Sequence, residues 1–118
     1  MLQGDAFAWC PSAAHSPWEV LVAHPAAGPR FDTAPDDQVA SVAEVTRRVV
    51  GAYATVLGDV PYNVVVHTAP RDTVVGYHWY VRVAPRVTVR AGFEEGTGLY
   101  VNTVAPEHAA AALREVVR

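Results

Sequence analysis

The sequence predicts an α+β fold, an antiparallel sheet carrying its helices on one face. Three observations support this. Short β-branched and aromatic runs follow one another across loop-length gaps, as hairpins do and parallel crossovers do not. One long segment from Val39 repeats apolar residues at Val42, Val45, Val49, Tyr53 and Val56, steps of three and four that form a single helical stripe. The chain then closes on an alanine-rich segment, "APEHAAAALREVVR".

Taken in order, "DAFAWC" and "WEVLVA" (Trp18 to Ala23) read as two short strands joined by "PSAAHSP". The polar stretch "HPAAGPRFDTAPDD" leads into the long helix. Thr33 is placed to cap it, with Pro35 in the first turn and Asp36 three residues after the cap. Gly58 ends it. "YNVVVHTAP" is the next strand, with Asn63, Val65 and His67 on one face and Val64 and Val66 on the other. After the loop "PRDTVVG", the run "YHWYVRVAP" sets His78, Tyr80 and Arg82 on one side and Trp79, Val81 and Val83 on the other. Polar groups thus collect on one face of the sheet. "LYVN" reads as a further short strand, and Pro106 and Glu107 suit the first turn of the closing helix.

With 118 residues, 51% of them apolar, the chain is of one-domain size and large enough to bury a core, so residues 1–118 are expected to form a single domain. A net charge of −3 gives no basic face for neutralising phosphates, which argues against a nucleic-acid partner. No run approaches the roughly 20 apolar residues of a membrane span, and the start lacks the pattern of a signal peptide. The lone Cys10 has no partner for an internal disulfide and fits a reducing compartment, so a cytoplasmic location is expected; its setting reads as the end of a buried strand.

Five histidines are present. His15 and His24 fall in loops and His108 in a helical first turn, where solvated roles are the natural reading. His67 and His78 lie at the polar end or face of two strands that adjacency could bring together, as part of a metal site, as a phosphate-binding pair or as ordinary half-buried strand histidines. A closed zinc site needs about four ligands, and no third or fourth is identifiable. The chain has no Gly-x-Ser-x-Gly elbow, phosphate-binding Walker loop, His-Glu-x-x-His or Cys-x-x-Cys. "AGFEEGTG", residues 91–98, places Glu94 and Glu95 beside three glycines, a turn that can serve a ligand cradle but more commonly is a plain chain reversal.

The ordered set "PYNVVVHTAP", "YHWYVRVAPRVTVRAGFEEGTGLYVN" and "APEHAAAALREVVR", with "AFAWCPSAAHSPWEVLVAH" upstream, resembles the C-terminal half of galactose-1-phosphate uridylyltransferases and the related ADP-glucose phosphorylases, of the histidine-triad-like (HIT-like) superfamily. The resemblance spans nearly the whole chain. It implies a HIT-like antiparallel sheet with one long helix and a C-terminal helix packed on it, and a hexose-1-phosphate nucleotidyltransferase of carbohydrate and galactose metabolism acting on UDP-sugars. In that chemistry a histidine takes the nucleotidyl group and passes it to a second sugar phosphate, splitting one substitution into two easier ones. The nucleophile of the family lies in a His-Pro-His motif of the N-terminal half. This chain has none, since Ala26 follows His24-Pro25.

By the same resemblance, Phe93 and Glu94 match an aromatic-glutamate pair whose carboxylate accepts hydrogen bonds from sugar hydroxyls, and Gly92, Thr97 and Gly98 shape the turn around the hexose phosphate. His67 and His78 match two histidines of a structural zinc or iron site. Tyr80 stands where many members have another histidine, and the family's glutamate ligand belongs to the other half, so the ligand set here is incomplete. "VAHPAAG" and Thr103 also depart from the family pattern. The expected partners are a sugar-1-phosphate or nucleotide sugar, and either an N-terminal half or a second copy of the chain. The alternative is a standalone, catalytically silent HIT-like binding or oligomerisation module. Lacking the nucleophile motif, the chain leaves open whether it is an enzyme by itself.

Overall fold

The computed structural model describes residues 6–12, 16–70, 76–86 and 106–116. Among these, four strands and two helices follow in the order β1 (Phe7–Trp9), β2 (Val20–Ala23), α1 (Asp36–Leu57), β3 (Tyr62–His67), β4 (Tyr80–Pro85) and α2 (Pro106–Val116). The strands form one antiparallel sheet in the spatial order β1-β2-β4-β3. Helix α1 packs on β1, β2 and β4, and α2 packs on α1. The expected α+β architecture is the one observed. The segment "LYVN" lies outside the described residues.

Register explains which side chains meet the helix. Ala8 pairs with Val22, Val22 with Val81, and Val81 with Val66, while Val20 pairs with Val83 and Val83 with Val64. Residues paired across antiparallel strands share a face, so these two rows point the same way. At the β1, β2 and β4 positions they are buried against Val42, Val45, Val49, Ala52 and Tyr53 of α1, with Leu113 of α2 joining the cluster. On β3 the rows continue past the helix, and Val64 and Val66 stay exposed.

Both ends of α1 are set by backbone chemistry. Gly58 terminates the helix at φ 80° and ψ −155°, a conformation glycine adopts without steric cost. The start differs from expectation. Pro35, with φ −61° and ψ 148°, occupies the cap position and no side chain caps the helix. The Pro35 carbonyl accepts from the amides of Gln38 and Val39, and Asp36 and Asp37 lie in the first turn, where the helix dipole favours negative charge. Thr33 instead donates its hydroxyl to the Arg30 carbonyl at 3.4 Å. The expected capping box is therefore absent because an extended proline separates Thr33 from the helix.

Tyr53 fastens α1 to the sheet. Its hydroxyl reaches the carbonyls of Trp18 at 2.5 Å and Val83 at 3.3 Å, the loop before β2 and the middle of β4. Trp79, 1% exposed, is among the largest fully buried side chains, and its indole N–H has no hydrogen-bond partner among the described residues. Truncating Trp79 to Ala is expected to cost about 3–5 kcal/mol. Trp79→Phe should cost less, because it removes a buried donor that is already unsatisfied. Val65→Ala, at an exposed position, should stay within about 0.5 kcal/mol. Equilibrium unfolding in urea checks the order of the three.

Candidate functional site

The polar face is built from the residues that alternate with the core. Trp9 pairs with Leu21, Leu21 with Arg82, and Arg82 with Val65, and the next pair outward is His67 with Tyr80. None of the described helices packs on this side. Phe7 and Trp9 stack there with ring centroids 5.2 Å apart, and both are exposed.

His67 and His78 come to the same end of the sheet, His67 as the last residue of β3 and His78 two residues before β4. The His67 ring lies parallel to that of Tyr80, with centroids 4.7 Å apart and planes 9° from parallel. Its Nε2 is buried and finds no hydrogen-bond partner among the described residues. His78 is held through Nδ1, 2.5 Å from the Ala27 carbonyl oxygen. A carbonyl can only accept, so Nδ1 is the donor and Nε2 is left to face outward.

The segment from His24 to Phe31 forms a strap over this end of the sheet. Trp79 N–H donates to the Gly28 carbonyl at 3.0 Å and Ala69 N–H to the Pro29 carbonyl at 2.9 Å. Phe31 N–H donates to the Thr68 hydroxyl, and Arg30 donates to the Ala69 carbonyl while pairing with Asp32. Phe31 also packs edge-on against Trp79, at 5.1 Å. This explains why "YHWYVRVAP" enters the sheet only at Tyr80. The backbone before it is bonded to the strap and not to a neighbouring strand.

Farther along the face, the Glu19 carboxylate is 4% exposed and lies 3.9 Å from Nη1 of Arg82. Ser16 reaches the same carboxylate at 3.5 Å. Arg82 Nε is buried without a partner among the described residues. Neither this pair nor the strap was anticipated from the sequence. The available signal was a carboxylate in the middle of the apolar run "WEVLVA", which demands a cationic or hydrogen-bonding neighbour.

The other sequence-predicted positions are accounted for as follows. His24 is half-buried, and its Nδ1 accepts the Ala26 amide. His108 is exposed but meets the Trp18 ring edge-on at 6.0 Å. Gly92, Phe93, Glu94, Thr97, Gly98 and His15 lie outside the described residues. The family resemblance implies a zinc or iron ion near His67 and His78. Among the described residues, no group of three or more His, Cys, Asp or Glu side chains gathers where an ion could be held, so the residues present do not make a metal shell.

A sheet whose one face carries the helices and whose other bears two strand-end histidines defines a HIT-like α+β domain. The chain belongs to the family described as Domain of unknown function (DUF4921), which matches residues 19–117. It is 32% identical over 110 residues to ADP-glucose phosphorylase of Arabidopsis thaliana, covering 90% of this chain and 31% of that protein. The crystal structure of the Arabidopsis enzyme with bound ADP-glucose superimposes with a TM-score of 0.85 at 30% identity, over 94% of this chain and 37% of that one. A uridylyltransferase structure matches at a TM-score of 0.82 and 27% identity, over 100% and 41%. A HIT-like protein of Bartonella henselae shares the fold at 14% identity, with a TM-score of 0.74 over 99% and 84%. This chain thus corresponds to a partial domain of the uridylyltransferase type, spanning about a third of the length of its curated relative. None of the described helices is long and apolar enough to cross a membrane.

The Cys10 thiol is ill suited to act as a nucleophile. It is half-buried, and burial pushes its thiol up to about 11, partly offset by Arg114 and reinforced by Glu19. The thiol is therefore protonated at neutral pH. Against an ordinary value of 9.0, alkylation by iodoacetamide at pH 8 should run about 100-fold slower in the folded chain than in urea. The unfolded thiol ionises first, so stability should fall as pH rises from about 9 through 11. Cys10→Ser should remove that part of the decline in pH-dependent unfolding curves.

Proposed function

We propose that this chain is the hexose-phosphate-binding half of a galactose-1-phosphate uridylyltransferase-like nucleotidyltransferase, completing an active site with an N-terminal half that carries the nucleophilic histidine, whether that half is encoded separately or belongs to the same gene. The observation that carries this reading is the match to the ADP-glucose-bound Arabidopsis enzyme, which extends over 94% of this chain but only 37% of the relative. The proposed sugar-binding residues are Gly92, Phe93, Glu94, Thr97 and Gly98, with the Glu94 carboxylate accepting sugar hydroxyls. The whole of residues 1–118 would act as one such domain, in the cytoplasm, on a sugar-1-phosphate or nucleotide sugar.

The partner half has a plausible seat. Val64, Val65 and Val66 are 41–46% exposed on β3, an edge strand among the described residues. Such an edge presents unpaired N–H and C=O groups to an incoming strand. Beside it, a groove of about 450 Å³ runs between β3 and α1, lined by Val39, Ala43, Val50, Tyr62, Val64 and Val66 among others. The matched enzymes extend well beyond the part this chain spans, and that further part supports an N-terminal half as the occupant.

Isothermal titration with ADP-glucose, UDP-glucose and galactose-1-phosphate tests the binding claim. Saturable heat that Glu94→Ala weakens about tenfold or more is the expected result, since hydrogen bonds to a carboxylate contribute about 1.5–3 kcal/mol. Absence of saturable heat for all three ligands would favour the silent HIT-like module instead. Turnover of UDP-glucose and galactose-1-phosphate on mixing with a cognate N-terminal half would establish the enzyme role, and failure to assemble would remove it.

A further inference from the structure

We propose that the sheet end bearing His67, His78 and Tyr80 works without a metal ion, with ring stacking and the strap holding the two imidazoles in place of coordination. Geometry makes the case. An imidazole binds a metal in its own plane at about 2 Å. The Tyr80 ring lies parallel to His67, 9° from coplanar in orientation and 4.7 Å away between centroids. Its phenol oxygen is therefore displaced along the ring normal, out of reach of an ion held in the His67 plane. Tyr80 occupies the position facing His67 without supplying the third ligand.

The remaining contacts agree. His67 Nε2 is enclosed by protein, and none of the described residues is hydrogen-bonded to it. His78 commits Nδ1 to the Ala27 carbonyl and keeps only Nε2 free. Among the described residues two nitrogens fall short of the roughly four donors of a structural zinc site. Meanwhile the duty an ion would perform, joining the end of β3 to the start of β4, is already done. The strap bonds to Thr68 and Ala69 after β3 and to His78 and Trp79 before β4.

Replacing Tyr80 by His puts a shorter ring there that can turn out of the stack, which should offer a third nitrogen beside His67 and His78 and with it metal binding. The test uses the full chain purified without added metal. Elemental analysis should find far less than one equivalent of zinc, iron or cobalt, and neither zinc nor a chelator should move Tm. Tyr80→His should take up about one equivalent of Co²⁺ with visible absorption, and its Tm should rise with zinc. Tyr80→Phe, which keeps the stacked ring, should behave as the wild type and controls for folding. A stoichiometric metal in the wild type that is lost in His67→Ala would overturn the proposal. So would a wild-type Tm that falls on chelation, or a folded Tyr80→His variant that takes up no metal. These readouts are independent of sugar binding, so their failure is distinct from failure of the functional reading above.

Discussion

The strap from Ala27 to Phe31 is the constraint on which the polar end of the molecule depends. Two antiparallel strands can be held by their ladder alone, but at the open end of β3 and β4 the residues Ala69 and Trp79 bond to the strap and not to each other. The strap closes that end from outside. Its carbonyls at Gly28 and Pro29 accept the amides of Trp79 and Ala69, donors that would otherwise go unpaired beside a buried indole. Because Trp79 is anchored on one side of the chain and His78 on the other, the same few bonds set the core and the site together. Substitutions that loosen the strap would therefore be felt at His78 before any residue touching a ligand changed.

Alternation does the rest. A strand gives each neighbour in sequence to the opposite face, and in β4 that divides Val81 and Val83 for the helix from Tyr80 and Arg82 for the polar side. The cost of the polar side is visible at Glu19 and Arg82. The Glu19 side chain is withdrawn from water while that of Arg82 stays 32% exposed, and their 3.9 Å separation is a long contact for an ion pair. Burying such a pair seldom adds stability over an apolar replacement. Its presence in so small a sheet is better explained by what this face must do than by what holds the fold together.

Much of this was legible from residue order. The stripe from Val42 to Tyr53 marked the face of α1 that is buried, and the division of "VVVH" and "YVRV" into two faces matched the observed register. Local signals failed where tertiary contacts outbid them. Thr33 looked like a cap, yet the extended Pro35 moved the helix start past it and left the Thr33 hydroxyl to the Arg30 carbonyl. Tyr77 to Trp79 had the composition of a strand, but the strap took the Trp79 amide. Pairing of His67 with Tyr80 follows from register, which depends on a long-range alignment no single strand encodes.

The β3 strand shows how the two halves of the argument meet. Among the described residues β3 is an edge strand with three consecutive exposed valines and no lysine, proline or bulge of its own to blunt it. No described residue fills the flank of α1 beside it either, although the stripe of Val42, Val45, Val49, Ala52 and Tyr53 on the same helix is buried. A chain selected to remain alone would be expected to blunt one or the other. Among the described residues both are open on the same side, which is intelligible if a further segment of this chain or of a partner completes the surface, and the ADP-glucose-bound enzyme it matches extends well beyond the matched part.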